Sequence, residues 1–220
     1  MTPSKRRAPA TEELSLFDRE VLAEGAVLLG GFALDVERDL LAGLDDISRT
    51  APFRHMVTPG GHRMSVAMTN CGEVGWVTDR AGYRYDPVDP ESGLPWPPMP
   101  EVFRSLARRA AAEGGFPDFA PDGCLINRYE PGAMLSLHQD RDEKDFGAPI
   151  VSVSLGLPAT FVFGGLTRTA PKRRIALTHG DVVVWGGPSR LAYHAILTLK
   201  NGEHPATGAA RINLTFRKAR

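Results

Sequence analysis

The chain has 220 residues, 42% of them apolar and 24% charged, with 26 lysines and arginines against 26 aspartates and glutamates. That length suits one large domain or two small ones, and zero net charge excludes a global field that would draw the protein onto nucleic acid or an anionic membrane. Two cysteines, Cys71 and Cys124, without a CxxC pattern exclude a disulfide scaffold or a cysteine-rich zinc module and suit a reducing, cytoplasmic setting.

The opening MTPSKRRAPA is basic and rich in Pro and Ala, with no apolar run of signal-peptide length after it. Residues 1–12 are expected to form a disordered leader and residues 13–220 a single domain. Nothing is long and apolar enough to span a membrane. In DVERDLLAGLDDIS, Val36, Leu40, Leu44 and Ile47 form a helical stripe, with Asp35 at the N-cap and Pro52 beyond the end. A second helix fits PEVFRSLARRAAAEGG, with Pro100 in its first turn, Phe103, Leu106, Ala107 and Ala110 on one face, and Gly114 closing it. Residues 53–99 between the helices are rich in Gly, Pro, aromatics and Arg, with strand-like pieces such as RMSVAMTN.

From residue 122 to 218 the texture is that of strands: CLINRYE, APIVSVSLGL, ATFVFGG, GDVVVWGG and RINLTFR. Short strands at this spacing predict an α+β, mainly β fold, a jelly roll (double-stranded β-helix) with the two helices packed on one face.

LSLHQDRDEKD holds the chemistry. In a strand, alternate residues share a face, so Ser136, His138 and Asp140 point together. An EF-hand fails there, because Lys144 and Asp145 fall where a ligand and the glycine belong; the tail from Glu143 to Asp145 reads as a solvated charged turn. A site of two histidines and one carboxylate, which leaves open positions on Fe(II) for dioxygen chemistry, needs a second histidine. Of His179, His194 and His204, His194 lies within strand-like RLAYHAIL and is the choice.

In RINLTFR, Arg211, Asn213, Thr215 and Arg217 share one face and Ile212, Leu214 and Phe216 the other. The polar face suits either the solvent side of an edge strand or a cavity in which two buried arginines require anions. Arginine Cα atoms roughly 20 Å apart could then bracket a short dicarboxylate from both ends. Asn127 and Tyr129 of CLINRYE share a face and add donors. Iron, a dicarboxylate and a jelly roll together describe a 2-oxoglutarate-dependent oxygenase.

The segments PFRHMVTPGGHRMSVAMTNCGEVGW, CLINRYEPGAMLSLHQDRDE, PIVSVSLGLPATFVFGG, HGDVVVWGG and RINLTFR closely resemble the AlkB family of DNA demethylases, Fe(II)/2-oxoglutarate-dependent dioxygenases, from about residue 14 to 218. The resemblance implies His138, Asp140 and His194 as iron ligands, and Asn127, Tyr129, Arg211, Asn213 and Arg217 around 2-oxoglutarate, with Arg211 at the distal carboxylate. It implies a damaged base stacked between Trp76 and His138, with Met68, Tyr83, Asp142 and Arg168 on the substrate side and Asp142 reading the amino group. Thr58 and Arg80 fall at backbone-contacting positions, which makes residues 53–99 a nucleotide-recognition lid over a jelly-roll core at residues 122–218. Two departures, Arg141 where lysine is familiar and a long basic leader, concern phosphate contact rather than chemistry.

Residues 53–85 carry Arg54, Arg63, Arg80 and Arg84 against Glu73 and Asp79, interleaved with Trp76, Tyr83 and Tyr85. Aromatics for bases and arginines for phosphates suit single strands, with Tyr85 read as lid packing. The small charge excess predicts a short footprint. The implied activity is oxidative removal of methyl groups from 1-methyladenine and 3-methylcytosine in single-stranded DNA, and also RNA, using Fe(II), 2-oxoglutarate and O2 and releasing formaldehyde, succinate and CO2. No membrane and no obligatory protein partner is expected, and the protein is read as a monomer. The rivals are an oxygenase of the same fold acting on a protein or small molecule, and a jelly-roll protein that binds nucleic acid without catalysis. The absence of GxSxG and HExxH disfavours a hydrolase.

Overall fold

Alternating and β-branched runs become strands wherever one or both faces can be buried, and the computed structural model, which describes residues 17–220, has many. The expected leader at residues 1–12 lies outside the described residues. In chain order the elements are β1 (Asp18–Ala23), β2 (Ala26–Gly30), α1 (Glu37–Thr50), β3 (Ala67–Gly72), β4 (Gly75–Asp79), β5 (Gly82–Asp86) and α2 (Glu101–Glu113). There follow β6 (Gly123–Tyr129), β7 (Leu135–His138), β8 (Ile150–Gly156), β9 (Ala159–Phe163), β10 (Arg173–Leu177), β11 (Val182–Trp185), β12 (His194–Ile196) and β13 (Arg211–Arg217).

They form a jelly roll. A seven-stranded sheet runs β1-β2-β11-β8-β13-β6-β3, a four-stranded sheet runs β10-β9-β12-β7, and β4–β5 is a separate hairpin. The pairings are antiparallel, so one face of each strand can serve a cavity while the other serves a core. One apolar cluster lies between the sheets and includes Phe161, Phe163, Trp185 and Ile196. Another joins the outer face of the large sheet to the helices through Ile212, Leu214, Phe216, Leu40, Phe103 and Leu106.

β13 decides between the two readings of its polar face. It sits centrally between β8 and β6 with all seven residues buried, so the solvent-edge alternative is wrong. Ile212, Leu214 and Phe216 serve the helix-side core, and Arg211, Asn213, Thr215 and Arg217 point into the cavity between the sheets.

The helices follow their stripes, with one correction. Asp35 does not cap α1, because a 3-10 turn at Leu34–Val36 precedes it and Val36 takes the cap position without a side-chain bond. The Asp35 carboxylate instead takes Arg109 of α2 at 2.8 Å, a charged partner in place of backbone amides. At the end of α2, Gly114 is required by proximity, since a Cβ there would lie 2.6 Å from Val184 of β11.

The strands β1, β2, β4, β5 and β10 have no counterpart in the expectations above. Gly25, at φ +73°, makes the tight β1–β2 turn, where any Cβ would also meet the Gly186 carbonyl. The hairpin β4–β5 is fixed to β3 by buried Asn70, whose amide exchanges two 3.0 Å hydrogen bonds with the backbone of Trp76.

Because Leu214 is fully buried on the helix side of β13, Leu214→Ala is expected to cost about 3 kcal/mol. Urea unfolding should show a lower midpoint with an unchanged slope.

Candidate active site

A cavity of about 420 Å³ opens between the two sheets. Every residue that the resemblance assigned to iron, cosubstrate or substrate lines it except Arg80, which lies exposed in the turn between β4 and β5.

His138 ends β7 and is the register partner of His194, the first residue of β12, so sheet pairing brings together residues distant in sequence. Their ring centroids are 4.3 Å apart. Asp140 lies just beyond the end of β7 rather than in the strand. Its Oδ1 is 3.5 Å from His138 Nε2 and 3.8 Å from His194 Nε2, and the three ligand atoms lie within 4.8 Å of one another.

Each ring is oriented from its far side. His138 Nδ1 lies 2.8 Å from the Ser136 carbonyl and His194 Nδ1 lies 3.0 Å from the Ala192 carbonyl. A carbonyl only accepts, so both Nδ1 atoms carry hydrogen and both Nε2 lone pairs are left for a metal. Burial, then His138, push His194 down to about 4, so it is neutral at pH 7. Burial opposes the charge on Asp140, but Arg217 and the two histidines outweigh it and hold the carboxyl well below its usual range. Two imidazoles with Nε2 turned toward one another and a carboxylate fit a divalent iron.

A second group of buried polar side chains lies on β6 and β13. Arg211 is buried with one bond, from Nη2 to Ser154 Oγ at 2.9 Å, while its Nε and Nη1 have no partner. The guanidinium lies 5.0 Å from the centre of the Tyr129 ring. Asn127 Oδ1 is likewise unpartnered, and Asn213 is held by Ser152 and the Val153 carbonyl. A buried guanidinium with idle donors is costly unless an anion satisfies it, so this end fits a carboxylate. Arg217, at the other end of β13, places Nε 3.0 Å and Nη2 2.6 Å from Asp140 Oδ2. The carboxylate therefore shows Oδ1 to the histidines and Oδ2 to the arginine.

On the open side Trp76 donates to Asp142 Oδ2 at 2.8 Å and stacks on Tyr83 at 5.8 Å. Arg168 donates to the Leu137 carbonyl and lies over the Tyr193 ring. Met68 is buried on the cavity floor, and Thr58 accepts from the His62 amide. His179 and His204 stack on one another elsewhere, with His179 beside Glu37.

The architecture is borne out by relatives. A model of the 2OG-Fe(II) oxygenase superfamily matches residues 25–217. The chain belongs to that superfamily. The oxygenase is 61% identical over 201 residues to the alpha-ketoglutarate-dependent dioxygenase AlkB of Escherichia coli, covering 91% of this chain and 93% of that one, which places it in the AlkB family. The solved structure of OsALKBH1 superposes with a TM-score of 0.80 at 30% identity, over 91% of this chain and all of that one. A more distant human relative, the nucleic acid dioxygenase ALKBH1, is 34% identical over 122 residues, covering 55% of this chain and 31% of that one. The oxygenase is thus an enzyme that uses Fe(II), 2-oxoglutarate and O2.

The structure corrects one expectation about charge and refines another. Glu143 is not part of a solvated turn; it is buried against Tyr85, Arg190 and Arg217, while Lys144 and Asp145 are exposed. The small arginine excess around the hairpin is resolved to particular residues. Arg54 is taken by Asp89 and Glu91, and Arg84 by Asp79 and Asp86, which leaves Arg63 and Arg80. Arg190, Ser154 and Trp185 escaped the sequence reading altogether, because nothing local marks them. Trp185 packs its edge on His194 at 5.1 Å.

Asp140→Ala should lower Mn(II) affinity by about 100-fold or more, read by calorimetry. It should also destabilise the fold by about 3 kcal/mol, since Arg217 keeps its buried charge and loses its strongest partner.

Proposed function

We propose that this oxygenase removes N-methyl groups from 1-methyladenine and 3-methylcytosine in single-stranded DNA, and also in RNA, as a direct-reversal repair enzyme. The observation that carries the reading is the cavity itself. It joins a two-histidine, one-aspartate cluster to an unsatisfied buried arginine at one end and to stacked Trp76 and Tyr83 at the other. Membership of the AlkB family and the human relative's name as a nucleic acid dioxygenase support the substrate class.

Iron would be held by His138, Asp140 and His194; together with 2-oxoglutarate it supplies oxidation of a C–H bond by O2, the cosubstrate leaving as succinate and CO2. A hydroxylated N-methyl group is a hemiaminal and sheds formaldehyde, restoring the base. Arg211 takes the distal carboxylate through its idle Nε and Nη1, and Arg217, with Asn127, Tyr129 and Asn213, lines the remainder of the cosubstrate site. Trp76 and His138 sandwich the base. Methylation at N1 of adenine or N3 of cytosine makes the base cationic, so the face of Trp76 attracts it and the Asp142 carboxylate meets its amino group.

The base must leave its stack to reach the cavity, which favours strands already single. Residues 53–99 act as the recognition lid and residues 122–218 as the catalytic core of one domain spanning 13–220. Thr58 and Arg80 serve as backbone contacts, with Arg63, bridged to Val57 beside Thr58, as the other unpaired lid arginine, and Arg168 stays on the substrate side. With about two unpaired lid arginines, log affinity for a single strand should fall with log salt at a slope of about −1.4, and Arg80→Ala should reduce that slope by about 0.7. Filter binding across a salt series reads both.

The deciding assay is formaldehyde release from oligonucleotides carrying 1-methyladenine or 3-methylcytosine, with and without Fe(II) and 2-oxoglutarate. Release should require both, and Trp76→Ala should raise KM for the oligonucleotide about tenfold, the worth of one stacked base. Succinate formation with no loss of base methyl groups would overturn the substrate.

A further inference from the structure

Glu143 has no place in the reaction as described, yet it is 6% exposed and surrounded by the groups that have. Its Oε1 accepts the Tyr85 phenol at 2.6 Å and lies 3.2 Å from Arg217 Nε. Its Oε2 lies 3.1 Å from Arg190 Nη2, an ion pair without hydrogen-bond alignment. Arg190 in turn donates to the Asp140 carbonyl at 2.9 Å and to the Ala148 carbonyl at 3.0 Å. One carboxylate thus touches the arginine assigned to the cosubstrate, the arginine that holds the backbone of Asp140, and the recognition hairpin.

The charges alternate. Asp140, Arg217, Glu143 and Arg190 interleave two carboxylates with two guanidinium groups, all buried. A guanidinium is a rigid fork; Asp140 Oδ2 accepts from its Nε and Nη2 while the Glu143 charge lies 3.2 Å from Nε, and the two together fix the direction in which the rest of the fork points. Removing Glu143 leaves Arg217 pivoting on Asp140 Oδ2 alone. Tyr85 contributes a neutral phenol, since burial raises it well above its ordinary range, and it sits on β5, which pairs with β4 and Trp76.

We propose that Glu143 is a positioning residue that sets the Arg217 guanidinium for 2-oxoglutarate and, through Tyr85, makes cosubstrate affinity and the seating of the β4–β5 hairpin depend on one another. The inference rests on the assignment of Arg217 to the cosubstrate. Coupling between two binding events is reciprocal, so ligation at Arg217 steadies the hairpin as much as the hairpin steadies Arg217.

The test is calorimetric titration of 2-oxoglutarate into the full chain loaded with Mn(II), alongside amide hydrogen exchange of the hairpin. Tyr85→Phe deletes one oxygen and should weaken 2-oxoglutarate about tenfold, the loss of a hydrogen bond to a charged group; Glu143→Gln should weaken it at least as much. KM for 2-oxoglutarate should rise in both, with kcat at saturation within about twofold of the parent. Adding Mn(II) and 2-oxoglutarate should slow hairpin exchange in the parent and not in Tyr85→Phe. Wild-type affinity in both variants, with only a lower melting temperature, makes Glu143 a structural ion pair and overturns the inference. Arg217→Lys separates the two failures. If it weakens 2-oxoglutarate while the other variants do not, only the coupling is wrong; if it too binds normally, the Arg217 assignment falls and takes the coupling with it. Should Glu143→Gln fail to fold, Tyr85→Phe alone decides.

Discussion

The contact between Arg217 and Asp140 is the constraint on which the rest of the site depends. A carboxylate and a guanidinium that are both buried lose several kcal/mol of hydration each, and only near-ideal geometry returns it. Here two donors converge on Oδ2 at 3.0 and 2.6 Å, which leaves Oδ1 turned to the histidines. The pair exists because β13 is central in its sheet and because β7 ends two residues before Asp140. Were β13 an edge strand, water would reach Arg217 and the carboxylate would have no reason to hold one orientation.

Antiparallel pairing then divides the work between layers. The small sheet brings His138 and His194 together as register partners, the large sheet lines up Arg211, Asn213 and Arg217 opposite Asn127 and Tyr129, and the hairpin closes over both with Trp76. Each layer contributes a different chemistry: imidazoles with inward Nε2 atoms, buried guanidinium donors, and an aromatic face. The helices contribute none of these. They cover Ile212, Leu214 and Phe216 on the far face of β13 and keep that strand in place.

Much of this was legible in the sequence because it is periodic. The alternation in RINLTFR separates a polar face from an apolar one, though not cavity from solvent, and the two-residue step from His138 to Asp140 brings a histidine and a carboxylate together. What was not legible depends on partners distant in the chain. The run Asp142, Glu143, Lys144, Asp145 looks uniformly solvated, yet Glu143 is buried because Tyr85, Arg190 and Arg217 converge on it from three separate segments. A charge count over residues 53–85 gives the excess but not its owners: Asp89 and Glu91 take Arg54, and Asp79 and Asp86 take Arg84. Asp35 had the right local context for a helix cap and was drawn instead to Arg109 on another helix. Local pattern finds faces, whereas the pairing of charges is settled in three dimensions.

The histidine rings share a small device whose effect extends beyond their orientation. Each Nδ1 is held by the carbonyl two residues earlier in its own chain, at Ser136 and at Ala192. The rings are therefore oriented by neighbouring backbone, and binding an ion freezes few further rotamers. In zinc fingers the metal is part of the folding free energy; here the large apolar cores carry the fold. Chelation accordingly switches such a centre off without unfolding it, and the same chain can be recharged with metal in place.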